Sequence, residues 1–452
     1  MLGMQRQRYL VLAGILALLA SACGGGTSGD TASEASSAPA SEAASETEMA
    51  SETEAASESE AASSAGGGDG TLTLGTLLPE TGSLAFLGPP EFAGVDLAVQ
   101  DINEAGGVLG EDVEVIDGDS GDTTTDIANQ TVDRLLAQDA DAIIGAASSG
   151  VSLTVIDKIT GAGVVQFSPA NTAPDFTDYD DNGLYFRTAP SDVLQGQVLA
   201  QVIADEGIGT IGILALQDPY GEGLANFITE SFEASGGQVA ETIIYDPAAQ
   251  NYDAEVQQMA ATDPEAVVVI GFDESARIIT SMIEAGIGPG DIPVFGTDGN
   301  MGNVLGDQFE GEPGALEGMR GTTPLTDLSQ DFQDRLLEID PDLRDFNYAG
   351  ESYDAAVVIA LAAIAAESDA GEALGEEIAG VTLEGTKCTD FEECSGLLED
   401  GEDIDYDGIT GPIDLDDAGD PTSASFAVLE FDGQNMLADD PEFIQAEAGE
   451  QG

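Results

Sequence analysis

From residue 71 onward the chain alternates short aliphatic or β-branched runs with amphipathic stretches of helical period, and this alternation narrows the available folds more than any other feature. Runs at 71–78, 113–116, 142–145, 163–167, 210–216, 266–271 and 293–296 predict strands. Stretches at 92–105, 125–138, 149–160, 193–206, 221–235, 254–261 and 274–285 predict helices between them. A strand–helix series with helices of this length implies parallel sheets covered on both faces. Gly106-Gly107, Gly161 and Gly236-Gly237 fall where those helices should stop. Residues 71–452 suffice for two lobes with real cores. The pattern predicts an α/β protein of two doubly wound lobes, whose ligands bind beyond the carboxyl ends of the strands.

The first seventy residues follow other rules. Arg6 and Arg8 precede an apolar run over 9–20, and Ser21-Ala22-Cys23 follows. Basic, then apolar, then small residues make the pattern of an exported leader, here 1–22. The apolar run is short of the ~20 residues a spanning helix needs. Leu19-Ala20-Ser21-Ala22-Cys23 looks like a bacterial lipobox, in which Cys23 is lipidated and becomes the mature first residue. The alternative is ordinary cleavage after Ala22. Residues 23–70 are dominated by Gly, Ser, Ala, Thr and Glu, with no aromatic residue. Such a segment cannot bury enough apolar surface to offset its ordering entropy, so it is expected to be a flexible linker extended by its own charge. The expected product is a soluble module held at a membrane by acyl chains. The longest later apolar stretch, 355–366, has twelve residues and reads as a core helix.

Charge excludes several partners. The chain has 10 basic and 87 acidic residues, a net −77. From residue 71 onward the balance is 8 against 77, or −69. Nucleic acid and anionic lipid both need a basic face, so neither is an expected partner. Self-repulsion on this scale is relieved by concentrated salt, which predicts a salt-adapted protein.

Enzyme chemistry is hard to place. With no histidine, Ser-His and Cys-His schemes are excluded. There is no GxSxG elbow and no glycine-lysine pair for a Walker A loop. Paired carboxylates are uninformative among 87 acids. No cofactor is expected. The run Asp403-Ile404-Asp405-Tyr406-Asp407-Gly408 starts like a calcium loop and has Asp414 at its twelfth position, but Thr410 and Pro412 break the pattern. A solvated acidic turn over 403–414 is the expectation, with no metal. Asp178-Tyr179-Asp180-Asp181-Asn182-Gly183 fails sooner, with Ala189 at position twelve. Outside the cytosol, Cys388 and Cys394 are expected to be bonded; with no second cysteine pair and no histidine, zinc is a weak reading.

One constellation stands out. Ala146-Ala147-Ser148-Ser149-Gly150 follows the run 142–145 and opens a helix, and Phe167-Ser168-Pro169-Ala170-Asn171-Thr172-Ala173-Pro174 follows the next strand. Both lie at carboxyl ends of adjacent strands, so their hydroxyls and amides should converge. A helix N-terminus with free N–H groups and a serine hydroxyl can hold a carboxylate without a buried cation. Phe295-Gly296-Thr297-Asp298-Gly299-Asn300 puts a carboxylate at another strand end, suited to an ammonium group.

Here the chain resembles the branched-chain amino-acid binding proteins of ABC importers, with the type I periplasmic-binding fold. The likeness runs from about 71 to about 433 and includes Thr81-Gly82-Ser83-Leu84-Ala85-Phe86-Leu87-Gly88, Asp101-Ile102-Asn103-Glu104-Ala105-Gly106-Gly107-Val108, Pro219-Tyr220-Gly221-Glu222-Gly223 and Tyr348-Ala349-Gly350-Glu351-Ser352-Tyr353-Asp354-Ala355. The resemblance implies a clamp with three hinge crossings that closes on an amino acid and is read by a membrane permease. It implies that Ser149 and Thr172 hold the ligand carboxylate, that the Ala170 carbonyl and Asp298 meet the ammonium, and that Tyr220, matching the family's tyrosine in the Tyr-Gly turn, contacts the ligand from the second lobe. Two departures bear on the ligand. Where the family places an aromatic, this chain reads Phe272-Asp273, so either the ring packs on the ligand or a second acid favours a more polar one. In the first loop the aromatic position holds Leu87, with Phe86 beside it.

The expectation is therefore a lipid-anchored, extracytoplasmic, monomeric receptor for a branched-chain or other neutral amino acid. Lobe one is expected over 71–189 and 323–413, lobe two over 190–322 and 414–440, and an acidic tail over 441–452. A sensory receptor of the same fold and an extracellular carboxylate hydrolase are the alternatives.

Overall fold

The computed structural model describes residues 68–448; the leader, Cys23, most of the linker and the last four residues lie outside them. The first sheet holds five parallel strands, β1 (Thr73–Leu77), β2 (Glu114–Ile116), β3 (Ala142–Gly145), β4 (Val165–Ser168) and β5 (Tyr185–Arg187), in the order β2-β1-β3-β4-β5. Between them run α1 (Gly88–Ala105), α2 (Ile127–Leu136) and α3 (Ser149–Thr160). Side chains alternate across each strand: Ala142 and Ile144 of β3 enter one core with α1, while Ile143 enters another with α2 and α3.

The second sheet repeats the order. Its parallel strands β6 (Thr210–Leu216), β7 (Gln238–Tyr245), β8 (Ala266–Ile270), β9 (Val294–Thr297) and β10 (Arg320–Pro324) run β7-β6-β8-β9-β10. The intervening helices are α4 (Asp192–Asp205), α5 (Pro219–Ala234), α6 (Asp253–Ala260), α7 (Ser275–Ala285) and the single turn α8 (Asn303–Asp307). After β10 the chain returns to the first lobe with α9 (Gln330–Ile339), α10 (Ala349–Ala366), α11 (Gly371–Glu377) and α12 (Phe391–Glu399), and a small sheet of β11 (Thr386–Cys388), β12 (Ile404–Gly408) and β13 (Gly411–Pro412). It then crosses again, and β14 (Ser423–Glu430) and β15 (Glu442–Glu447) extend the second sheet antiparallel beside β10.

Helix α10 is apolar enough to cross a membrane by length and composition, but 83% of it is buried inside the fold. It packs on α1 where Gly94 meets the Ala349 carbonyl, a contact that any side chain at position 94 would block.

Several expectations need correction. Residues 442–447 are not part of a tail: they pair with β14 from Ser423↔Glu447 to Val428↔Glu442. The return to lobe one cannot start at 323, because β10 runs to Pro324. The segment 403–414 is a β-hairpin rather than a loop, and Lys387 Nζ lies 3.0 Å from Asp405 Oδ2 and 2.8 Å from Asp407 Oδ1. Among the described residues no group of three or more acids or cysteines could hold a metal ion. Cys388 and Cys394 form a disulfide between β11 and α12.

Candidate functional site

The carboxyl ends of both sheets meet in a cleft between the lobes, lined by Leu84, Leu87, Ala147, Ser148, Ser149, Ala170, Thr172, Tyr220, Phe272, Asp298, Gly299 and Tyr348.

One device builds the cleft twice. Strand β4 ends in Ser168 and β9 in Thr297, and three residues later each chain places an asparagine. Asn171 Nδ2 donates to the carbonyls of Ala146 (2.9 Å) and Ala147 (2.8 Å), beyond the end of neighbouring β3. Asn300 Nδ2 donates to the Val269 carbonyl of β8 (2.9 Å), and its Oδ1 accepts from the Thr297 N–H (2.9 Å). A hydrogen-bonded side chain thus ties each strand-end turn to its neighbour and satisfies backbone groups that would otherwise be buried unpaired.

On the first lobe, the turn after β3 opens α3. Ser148 is the N-cap, accepting from Val151 N–H at 3.3 Å, and Ser149 is the first helical residue. Ser149 Oγ accepts from Ala173 N–H (3.3 Å), which leaves its hydroxyl hydrogen to donate. The N–H groups of a first helical turn have no intrahelical acceptor, so this end of the cleft favours negative charge. The 170–173 loop is fixed from behind by Arg187, whose buried guanidinium donates to the carbonyls of Asn171 (3.2 Å) and Ala173 (2.8 Å) and to both oxygens of Asp420 (2.6 and 2.7 Å). Asp420 lies on the last crossing between lobes, so this ion pair joins the hinge to the loop.

On the second lobe the centre is Asp298. Its Oδ1 accepts from Gln195 Nε2 (2.9 Å) and Tyr220 OH (2.8 Å), and its Oδ2 accepts from Tyr348 OH (3.0 Å). All three donors are neutral. Burial pushes the Asp298 carboxyl pKa up, and the bonds from Tyr220, Gln195 and Tyr348 oppose that rise. Burial and the Asp298 charge push both tyrosines well above their usual range, so they remain donors. Asp192 is buried, and its carboxyl oxygens have no partner among the described residues. Burial, then the Asp298 charge, raises it well above the carboxylate range. Two acids therefore sit close together, and Asp298 is the one equipped to carry the charge.

Ser149, Ala170, Thr172, Tyr220, Phe272 and Asp298, expected from the sequence, line this one cleft. Phe86 and Asp273 do not. Phe86 is partly buried in an adjoining cavity, and Asp273 is exposed at its edge, because the chain turns outward after Phe272. Of the two options at 272–273, the ring faces the cleft. Sequence reasoning missed Tyr348 and Gln195 as partners of Asp298, and Leu84 and Ala147 as apolar lining. Tyr348 had a signal, since it precedes a long apolar helix; it takes a left-handed conformation (φ 61°) as its N-cap. Gln195 had none.

Three further contacts draw the lobes together. Gly150 at the start of α3 abuts the Asp218 carboxylate, Asn303 Nδ2 donates to Asp345 Oδ1 (2.6 Å), and Arg344 pairs with Asp307.

Comparison with known proteins agrees with this architecture. Residues 71–434 match the family described as periplasmic binding protein. The chain is similar to the chemotactic signal transduction system substrate-binding protein BasB of Halobacterium salinarum, 26% identical over 368 residues, 78% of this chain and 85% of that protein. It is similar to the leucine-, isoleucine-, valine-, threonine- and alanine-binding protein of Pseudomonas aeruginosa, 28% identical over 270 residues, 59% of this chain and 70% of that one. In fold it resembles the branched-chain amino acid transporter substrate-binding protein LivJ of Streptococcus pneumoniae in complex with isoleucine, with TM-score 0.68 and 22% identity over 83% of this chain and all of that one. The chain belongs to the periplasmic-binding-protein family and has its two-lobed type I fold.

Proposed function

We propose that the protein is an extracytoplasmic receptor that closes on a neutral α-amino acid, branched-chain side chains foremost, and delivers it to the permease of an ABC importer. The observation that carries this reading is the buried Asp298 carboxylate, held by three neutral donors in the same cleft as the N-terminus of α3. A zwitterion supplies what each end lacks. Its ammonium would sit on Asp298 and the Ala170 carbonyl, and its carboxylate on Ser149, Thr172 and the first N–H groups of α3. Leu84, Leu87 and Ala147 would cover an aliphatic side chain, with the Tyr220 and Phe272 rings opposite. Similarity to the Pseudomonas protein and to LivJ supports an amino acid as ligand. Binding would shift the population from open to closed lobes, since only the closed form contacts the ligand from both sides. Acylated Cys23 and the linker would keep the receptor, a monomer, at the membrane beside its permease.

Calorimetry with leucine, isoleucine, valine and alanine tests this. One-to-one binding without consumption of the ligand is expected. Asp298→Asn should weaken it at least 100-fold, about 3 kcal/mol, the scale of a buried charge pair losing one partner. Unchanged affinity in that variant would sink the site, and turnover of the ligand would sink the receptor.

Similarity to BasB favours a second reading, in which the same clamp reports to a chemotaxis transducer. Capture of the ligand-closed protein by a transducer, and not by permease subunits, would select it.

A further inference from the structure

Away from the cleft, two consecutive residues of the first lobe hold one short turn of the second. Asp345 Oδ1 accepts from Asn303 Nδ2 (2.6 Å), and its Oδ2 accepts from the Asn303 backbone N–H (3.1 Å). Beside it, Arg344 donates to both oxygens of Asp307. Residues four apart share one face of a helix, so the dipeptide grips one face of α8 at both its ends. Burial raises the Asp345 carboxyl pKa, and the Asn303 bonds and the Arg344 charge oppose the rise.

Each half of this contact is fixed to its own lobe. Leu343 and Phe346, on either side of the dipeptide, pack on the first-lobe core. Met301, just before α8, is fully buried against β9 and β10, where a Cβ at Gly296 or Gly321 would meet it. The contact is therefore made or broken as the lobes move as bodies. The turn α8 also depends on it. Its N-cap is Gly302, which has no side chain to accept from the first N–H, and the Phe86 ring of the first lobe lies 3.1 Å from where a Cβ would stand. Asp345 supplies that acceptor from the other lobe.

The choice of residues is informative in a chain with so few cations. Lys158, Arg335 and Lys387 pair within the first lobe, Arg320 pairs within the second, and Arg187 pairs with Asp420 at the hinge. Among the described residues, Arg344 alone pairs from one lobe to the other away from the hinge.

We propose that Arg344 and Asp345 form a latch on α8 that holds the lobes closed and sets how slowly a captured solute leaves, whatever its side chain. The latch rests on the clamp reading given above and adds positioning residues that touch no ligand. Its contacts form once the solute is in place, so they act on release rather than on entry. Asn303 follows Asp298 by five positions, so the latch also steadies the turn that carries the ammonium partner.

The test is release of isotope-labelled leucine from the full chain into excess unlabelled leucine, with calorimetry for leucine, valine and alanine. Asp345→Ala should speed release about tenfold or more and leave association within about threefold, as expected of a contact made after entry. It should weaken all three amino acids by the same factor. Asp345→Asn keeps one acceptor for Asn303 and should fall between wild type and Asp345→Ala, which separates the latch from a folding defect. Adding Asn303→Ala to Asp345→Ala should cost little more than Asp345→Ala alone, because both substitutions break one contact. Unchanged release in Asp345→Ala would overturn the latch, and so would slower association at constant release or two effects that simply add. If wild type binds none of the three, the amino-acid reading falls and X-ray scattering judges the latch by itself. Asp345→Ala must then be more expanded in solution than wild type, and equal dimensions would overturn the latch.

Discussion

At the scale of single residues, the site depends on a carboxylate made costly by burial and stabilised by neutral donors. Three hydrogen bonds lower the proton affinity that burial raises at Asp298. Removing the Tyr348 hydroxyl removes the only donor to Oδ2 among the described residues. Tyr348→Phe should then weaken ligand binding by about 1–3 kcal/mol, the range for a hydrogen bond to a buried charge. The pH dependence has a definite sign. Burial raises the Asp298 pKa in the empty cleft, and a ligand ammonium would lower it again. Binding therefore releases a proton wherever the empty site is protonated, and affinity falls as pH falls through the raised pKa. Tyr348→Phe should move that fall to higher pH. A dissociation constant that stays flat as pH drops from about 8 to about 4, a span covering the carboxylate range and its upward tail, would show that Asp298 does not meet the ligand's charge.

At the scale of elements, the same physics acts on α1 and α10. Glu91 is fully buried with both carboxyl oxygens unpartnered among the described residues, and burial followed by the Glu351 charge raises its pKa well above the usual range. Burial pushes Glu351 itself from 4.5 up to about 8. A folded-state pKa above the unfolded value means that the folded protein holds the extra proton between those limits. The Glu351 contribution is therefore fully present below about 4.5, declines by about 1.4 kcal/mol per pH unit through the window, and is gone above about 8. Glu351→Gln mimics the protonated form, so its stability relative to wild type should rise with pH across that window. Parallel denaturation curves at both ends would refute the assignment. These elements also show what the sequence makes legible. Strands β3, β6 and β8 are continuous apolar runs because they are buried on both faces, and they stand out. Strand β7 is an edge strand with mixed exposure and β15 carries glutamates at both ends, so neither shows the apolar signal of a central strand. Ser149 and Asp298 are readable because a strand end next to a turn is a local pattern. Gln195 reaches Asp298 from 103 positions away and Tyr348 from 50, and no local pattern encodes such a meeting.

At the scale of the whole molecule, charge decides. Of the eight basic residues in the described chain, Lys158, Arg187, Arg320, Arg335, Arg344 and Lys387 each pair with a carboxylate, which leaves most of the 77 acids without a cation. Added salt has two opposed effects. It weakens exposed pairs, which are worth ~0–1 kcal/mol each, and it screens repulsion among some seventy uncompensated charges, cutting its range from ~10 Å at 0.1 M to ~3 Å at 1 M. Five partly exposed pairs can lose only a few kcal/mol together, whereas the repulsion sums over every near pair of carboxylates on both lobes. The second effect should win. The melting temperature should rise steadily from dilute buffer into molar sodium chloride. Arg187 and Asp420 are buried, so their bond should survive the screening and hold the hinge at every salt concentration. A melting temperature that stays level or falls with salt would mean that this acidic surface does not oppose folding.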